Sequence, residues 1–459
     1  MEDKTIKSRA AQRTERICSE PIGPLMLRLT IPMVFAIISM MLLGLVDTFF
    51  ISLLGTKELA AASFVMPIYM LLVNVALGIG MAISSLTSRL IGEQRQEEAA
   101  RFITDSHILA TLIIVSIAIV LFVFIDSLFT QMGASSKVMP DIRGYMRIIL
   151  MGSPIIVLTF ICNSTFRAIG HIKASAIFST LLSLLNLILD PLLIFGLGPF
   201  PELGMPGAAL ATLIAACITW VCSYYMLAFK EKLLDFRLPS PGKLFENWSK
   251  CLSIAIPAIF ANIMTPLAAA IMTAMIARHG EASVAGFGVG ARIESMSLLI
   301  TFALSSTLPM FIGQNIGAGR GDRAYQALMM CLRFALIFQI AVYFILLLLA
   351  PMISTSFSDN ADVIYVIKTY LAILPFSYSA HAVVILVMVS LNVLGRPRMA
   401  LLATIVRLLL LYLPWAYFGS LIWGITGLFA GAALGNFIAG LVAFKIIKNV
   451  CREQGLDSA

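Results

Sequence analysis

Two aspartates sit where water should be absent. Asp47 lies within "MMLLGLVDTFFISLLG" and Asp190 within "LLSLLNLILDPLLIFG". A carboxylate at membrane depth costs several kcal/mol unless it is paired, neutralised or turned towards a wet cavity, so such a residue is functional by default. The chemistry open to it is uptake of a proton or capture of a cation; the plainer role is a structural acid satisfied by a neighbouring amide or hydroxyl. Counting sets the two at one level. Asp47 is 16 residues past Ile31, and Asp190 is 16 past Ala174, where its span enters. At the helical rise, each lies about 24 Å from the cytosolic start of its helix. Two acids at matched depth can share one proton or clasp one cation.

The surroundings of the second acid extend this chemistry. Ser179, Ser183, Asn186 and Asp190 are spaced by four, three and four, one polar stripe on an otherwise Leu/Ile helix. Pro191 follows, and its ring removes an N–H donor and frees the carbonyl of Leu187. Amide, carboxylate and loosened carbonyl are oxygen ligands of the kind a hard cation takes. Asn186 has a plainer use as a hydrogen-bonding link between helices.

Other polar groups carry less. Arg292 and Glu294 share one span but stand two residues apart, off one helical face, so they pair with different partners or substrate or serve the fold. Arg407 is near enough to the cytosolic side to snorkel. Among the 24 methionines, Met66 and Met272 suit a cavity tolerant of varied ligands, although most such residues simply pack or face lipid. Seven cysteines and four histidines show no close metal spacing, and neither a disulfide framework nor a zinc site is expected. No phosphate loop, nucleophile elbow or nucleotide domain is legible, so the expectation is neither an enzyme nor an ATP-driven pump, and no cofactor. "IGAGRGDRA" follows no strand and reads as a turn rather than a dinucleotide site.

The elements that must position these residues follow from composition. Of 459 residues 60% are hydrophobic and 12% charged, and mean hydropathy is +0.96. A soluble core needs no such apolar excess. Twelve apolar spans are predicted, at about 25–53, 60–86, 103–125, 144–169, 172–198, 206–228, 250–276, 283–312, 327–350, 369–394, 399–419 and 424–448. Each is long enough to cross about 30 Å of hydrocarbon, and each must be helical because isolated strands leave backbone groups unpaired in lipid. Of the 32 Lys and Arg, 24 fall in the tails and alternate loops that a cytosolic N-terminus would place inside, and six fall outside. Both termini are therefore expected in the cytosol. The net charge of +8 reads as a topology and lipid-surface signal, with no nucleic-acid partner. The N-terminal tail contains Glu2, Asp3, Glu15 and Glu20 and no short apolar run with a cleavage site, so no signal peptide is expected.

The chain also repeats itself at an offset of 225. Pro32 recurs as Pro257, Ala36 as Ala261, Gly55 as Gly280, Ile91-Gly92 as Ile316-Gly317 and Gly170 as Gly395. Six spans per copy make the repeats parallel, and in membrane proteins such repeats build two bundles about a pseudo-two-fold axis. The expected fold is an all-α polytopic membrane protein with two six-helix lobes. The expected divisions are a tail at 1–24, an N-lobe at 25–228, a cytosolic linker at 229–249 stiffened by Pro239 and Pro241, a C-lobe at 250–448 and a tail at 449–459. Asp47 and Asp190 fall opposite Met272 and Trp415. Ion chemistry is expected in the first lobe, with the second as a wall.

At this point the chain resembles a known family, the MATE multidrug and toxic-compound extruders. The likeness rests on the twelve-span plan, "DTFFISLLGTKELAA", "RAIGHIKAS", "LDPLLIFGLG", "GMPGAALAT" and "FIGQNIGAGRGDRA", and covers nearly the whole chain. An acid in span 1 with an Asn-x-x-x-Asp pair in span 5 looks like the DinF-like branch; the NorM-like branch would favour acids in spans 7 and 10, which are missing here. The resemblance implies cation-coupling residues at Asp47, Asn163, Asn186, Asp190 and Thr212, with Na+ a candidate at Asp47, Asn186, Asp190 and Thr212. It implies supporting roles for Tyr145 and for Pro32, where span 1 can bend, beside those that the stripe itself gives to Ser183 and Pro191. It further implies a V-shaped pair of bundles in a bacterial inner membrane. Such a protein, expected as a monomer, exports cationic amphipathic drugs or toxins in exchange for H+ or Na+. Two other functions stay open: a lipid-linked precursor flippase of the same superfamily, and a non-transporting membrane scaffold or enzyme.

Overall fold

The computed structural model describes residues 2–237 and 240–456, and within them it is a succession of helices. They are α1 (Glu2–Ser19), α2 (Ile22–Leu54), α3 (Thr56–Gly92), α4 (Gln96–Val123), α5 (Ile125–Gln131), α6 (Met139–Ala168), α7 (Ile172–Ile194) and α8 (Met205–Tyr225). After the linker come α9 (Pro241–Ala277), α10 (Glu281–Ser297), α11 (Leu299–Gly317), α12 (Gly321–Phe357), α13 (Ala361–Ile373), α14 (Tyr378–Val393), α15 (Pro397–Ile405) and α16 (Leu413–Glu453). Two π-helical segments, Met226–Lys230 and Val406–Tyr412, continue α8 and α15. The linker residue Pro239 lies outside the described residues, whereas Pro241 opens α9, where a missing N–H costs the helix nothing.

Eleven stretches among the described residues are long and apolar enough to cross a membrane, and the last of them, Pro397–Glu453, is 57 residues. At 1.5 Å per residue that is about 85 Å, far beyond one crossing. It turns back at Trp423 and Gly424, whose backbones leave helical geometry, Gly424 with φ 61°. The stretch is thus two passes, and the chain makes the twelve that its apolar runs predict. Large apolar side chains such as Leu348 and Leu441 stand exposed, as lipid-facing residues must.

The chain divides into two compact units. One holds α1 and Ile31–Ile259; the other holds Glu20–Thr30 and everything from Phe260 onward. Two helices therefore change unit partway along. Helix α2 changes between Thr30 and Ile31, next to Pro32, and α9 changes between Ile259 and Phe260, two residues past Pro257. The repeat-related prolines mark both changes. In the second unit, the start of α2 is tied to α11 by the Thr30 and Thr307 hydroxyls, 3.2 Å apart. In the first unit, α9 begins against α4. Asn247 donates to Asp105 Oδ2 at 2.8 Å, Trp248 Nε1 donates to the Asp105 carbonyl at 2.9 Å, and Arg101 pairs with the same carboxylate. These bonds tie the start of α9, still within the expected linker at 229–249, to the first unit, which runs on to Ile259.

Helices α7 and α8 approach closely because Gly207 has no side chain. A Cβ there would lie 2.3 Å from the carbonyl oxygen of Leu193, which is backbone and cannot rotate away. Gly207→Val should therefore force the two helices apart and cost about 1–3 kcal/mol, as overpacking does. The expected result is a lower unfolding temperature of the purified protein; a variant as stable as the parent would show that the approach is not fixed by this contact.

Candidate functional site

The polar stripe expected on α7 is real and faces inward. Ser179, Ser183 and Asn186 are buried and Asp190 is 0% exposed, while Leu184 and Ile188 on the opposite side are exposed. Ser183 donates to the Ser179 carbonyl at 3.2 Å, so its hydroxyl serves the helix. Pro191 sits inside α7 without ending it.

Asn186 is the pivot, because its amide stands between Asp190 on its own helix and Thr212 on α8. With the NH2 towards the acid, it donates to Asp190 Oδ2 at 2.7 Å, and its carbonyl oxygen accepts from the Thr212 hydroxyl at 2.9 Å. With the amide turned over, the NH2 donates to Thr212 Oγ1 at the same 2.9 Å and the oxygen faces the carboxylate. Thr212 in turn donates to the Ala208 carbonyl at 3.1 Å. The first setting satisfies an ionised Asp190; the second needs a proton or a cation between two oxygens. Both fit one spacing.

The first acid joins this junction through space. Asp47, half-buried on α2, lies within electrostatic reach of Asp190. Tyr145 on α6 senses Asp47, Asp190 and Tyr69, and Tyr69 on α3 senses Asp47. Asn186, Asp190 and Thr212 are thus joined in the first unit, with Asp47 and Tyr145 within electrostatic range of Asp190. Tyr69 belongs with them and was missed in the sequence. Its spacing gave no signal, because one aromatic in "MPIYMLLVN" is indistinguishable from a packing residue.

Asn163 stands apart. It is buried on α6 and its Oδ1 has no hydrogen-bond partner among the described residues. One turn earlier, Thr159 donates to the Ala216 carbonyl on α8 at 3.2 Å, itself a turn past Thr212, so Asn163 lies beyond the Asn186–Thr212 junction. Met66 is exposed, but Met272 retains only 1% of its surface and offers a ligand no face. Arg292 is exposed, while Glu294 turns inward. Arg407 does not snorkel: Nη2 donates to His381 Nε2 at 2.8 Å and Nε to Asn436 Oδ1 at 3.4 Å. The partners lie on α14 and α16, which the count along span 11 did not bring near. Among the described residues no group of three His, Cys, Asp or Glu is placed to hold a metal ion.

The chain is similar to known proteins. The MatE family model matches the chain twice, at 32–192 and 257–418. The FAD transporter of Shewanella oneidensis is 38% identical over 96% of this chain and 98% of its own. Multidrug export protein MepA of Staphylococcus aureus is 23% identical over 93% of this chain and 94% of its own. Among solved structures, the MATE transporter VcmN of Vibrio cholerae in its bent form superposes with a TM-score of 0.90 at 28% identity, covering 97% of this chain and 99% of that one.

Removing the pivot tests the junction. Asn186→Ala takes the amide donor from a fully buried carboxylate, and an unsatisfied buried group costs about 1–3 kcal/mol. In a double-mutant cycle with Asp190→Asn, the two losses should fall short of additivity, as they do for groups in contact. Additive losses in unfolding temperature would mean that the two side chains do not interact.

Proposed function

We propose, for a chain that belongs to the MATE family of membrane transporters, that it is a secondary antiporter whose Asp47–Asp190 pair carries the coupling cation. The observation that supports this most directly is the fully buried Asp190 carboxylate, met on its own helix by the Asn186 amide, which is bonded in turn to Thr212 on α8. When Asp190 is ionised, the amide donates to it and accepts from Thr212. When Asp190 is protonated, its O–H donates to the turned amide oxygen, the NH2 donates to Thr212, and the hydroxyl is left to the Ala208 carbonyl. Loading the acid thus reorders the bonds that join α7 to α8. A proton needs no change of spacing and is the ion we assign first; Na+ bridging the two oxygens is the second assignment. Asp47 gives the pair its shared character, and such a pair titrates as a unit.

Exchange requires ion and substrate to favour different states, because equal affinity for both shifts nothing. The element suited to respond is α2. Its start is held in the second unit by Thr30, Pro32 interrupts its hydrogen-bond ladder, and Asp47 lies 15 residues beyond. Changing the charge at Asp47 changes what holds this helix against α7, and bending at Pro32 is the proposed stroke. Export is the proposed direction, with both termini in the cytosol of a bacterial inner membrane.

For substrate we rank flavin adenine dinucleotide first. The relative named for its transport shares far more identity with this chain than the relatives named for multidrug export. Cationic amphipathic drugs, expected from the family resemblance, are the second reading, favoured by the latter.

Reconstituted vesicles test both levels. An imposed proton gradient should drive flavin dinucleotide across the bilayer, and Asp47→Asn should abolish the driven component while leaving the protein folded and inserted. Full driven transport in Asp47→Asn would sink the coupling role. Movement of ethidium but not of the dinucleotide would select the second substrate reading. Spin labels on the outer part of α2 and on α7 should report a pH-dependent distance change that Asp190→Asn and Pro32→Ala both suppress. A full response surviving in both variants would refute the hinge and favour rigid rocking of the bundles.

A further inference from the structure

The second unit holds a buried charged network that the coupling site does not use. Glu294, in the last turn of α10, accepts a hydrogen bond from the Tyr370 hydroxyl at 3.0 Å. Tyr370 is itself 3.1 Å from the Tyr378 hydroxyl. On its other side, Glu294 Oε1 faces His381 Nδ1 at 3.3 Å. Beyond the imidazole stands Arg407, which donates to His381 Nε2 at 2.8 Å.

The local sequence explains the meeting. Gly290, one turn before Glu294, lets the Tyr370 ring lie where a Cβ would come within 2.7 Å of it. The π-helical segment Val406–Tyr412 carries Arg407 and Tyr412 towards the same point, and single π-turns of this kind recur at functional sites. Asn436, from α16, holds Arg407 Nε at 3.4 Å and donates to Ser377 Oγ at 3.3 Å, which fixes the guanidinium.

Bonding fixes the protonation of the ring. Arginine only donates, so Nε2 of His381 accepts, and the ring proton of a neutral imidazole is on Nδ1, facing the carboxylate. The order is therefore cation, neutral ring, anion. A purely structural ion pair would gain more from direct contact between Arg407 and Glu294. Here a titratable ring separates them, and the carboxylate keeps unused lone pairs. The Glu294 side chain is 24% accessible and that of His381 14%, so the pair is not sealed. The titratable and charged groups facing Glu294 are Tyr370, Tyr378, His381, Arg407 and Tyr412.

We propose that Glu294 and His381, with Arg407 as fixed counter-charge, form a second proton-accepting site in the C-terminal half of this transporter. A proton from water adds to the Glu294–His381 pair, the network passes from net zero to one positive charge, and Arg407 loses the anion that balanced it. In a low-dielectric interior that change alters what holds α10, α14 and α15 together. The second unit then responds to pH in its own right rather than serving as a passive wall. The part this site plays in the cycle rests on the coupling reading above; the site itself does not.

The experiment separates the two. In purified protein carrying Asp47→Asn and Asp190→Asn, infrared difference spectra across pH should show a buried carboxylic C=O stretch growing as pH falls. Adding Glu294→Gln should remove it. Tyr370→Phe leaves the carboxyl in place and should shift the midpoint of that band, which keeps the test decisive even if Glu294→Gln does not fold. No such band at any pH where the protein is folded, or a band indifferent to both changes, would overturn the proposal. In vesicles with otherwise native protein, Glu294→Gln should lower substrate accumulation about tenfold per unit of imposed pH difference, one proton fewer per cycle. Unchanged accumulation would overturn the site's part in the cycle. Wild-type vesicles that show no proton-driven transport would instead refute the coupling reading and leave the spectra to decide the site.

Discussion

Hydrocarbon offers a polar group no partner, and most of this protein follows from that. The backbone must satisfy itself, so every crossing is helical and the surface towards lipid is apolar. Side chains that cannot satisfy themselves must find one another. Asp190 is fully buried and finds the Asn186 amide, whose oxygen finds the Thr212 hydroxyl on α8. The same constraint gathers Glu294, His381 and Arg407 in the second unit. Asn163 Oδ1, which has no partner among the described residues, stands out.

A bond that can be made in two ways at one spacing is useful to a machine. Packing cannot drift continuously, but an amide can turn over and a hydroxyl can change which carbonyl it serves. At Asn186 the two settings differ in which amide atom faces the acid and in where the protons sit. On the proposed coupling, a proton arriving at Asp190 exchanges one set of bonds to α8 for the other, across helices held close by the approach at Gly207. The repeat supplies the larger frame. Pro32 and Pro257 occupy equivalent places, and each marks a helix that leaves one compact unit for the other. The two halves keep this symmetry of sequence while filling their cores with different chemistry.

The solvent, the number of crossings, the repeat and the family were all legible in the residues alone. These depend on composition, span length and local motifs, which survive without knowledge of the fold. The α7 stripe was legible too, because a period of 3.6 places Ser179, Ser183, Asn186 and Asp190 on one face whatever that face meets. What the sequence could not determine was any contact between helices. Arg407 read as a snorkelling residue because its own span says only how far it lies from an end; the neighbours that draw it inward come from α14 and α16. Met272 read as a possible cavity residue until its burial showed otherwise. Tyr69 and His381 were invisible as members of their networks for the same reason. Hydrogen bonds and charges act over a few ångströms, and only tertiary structure decides which helices bring side chains that close.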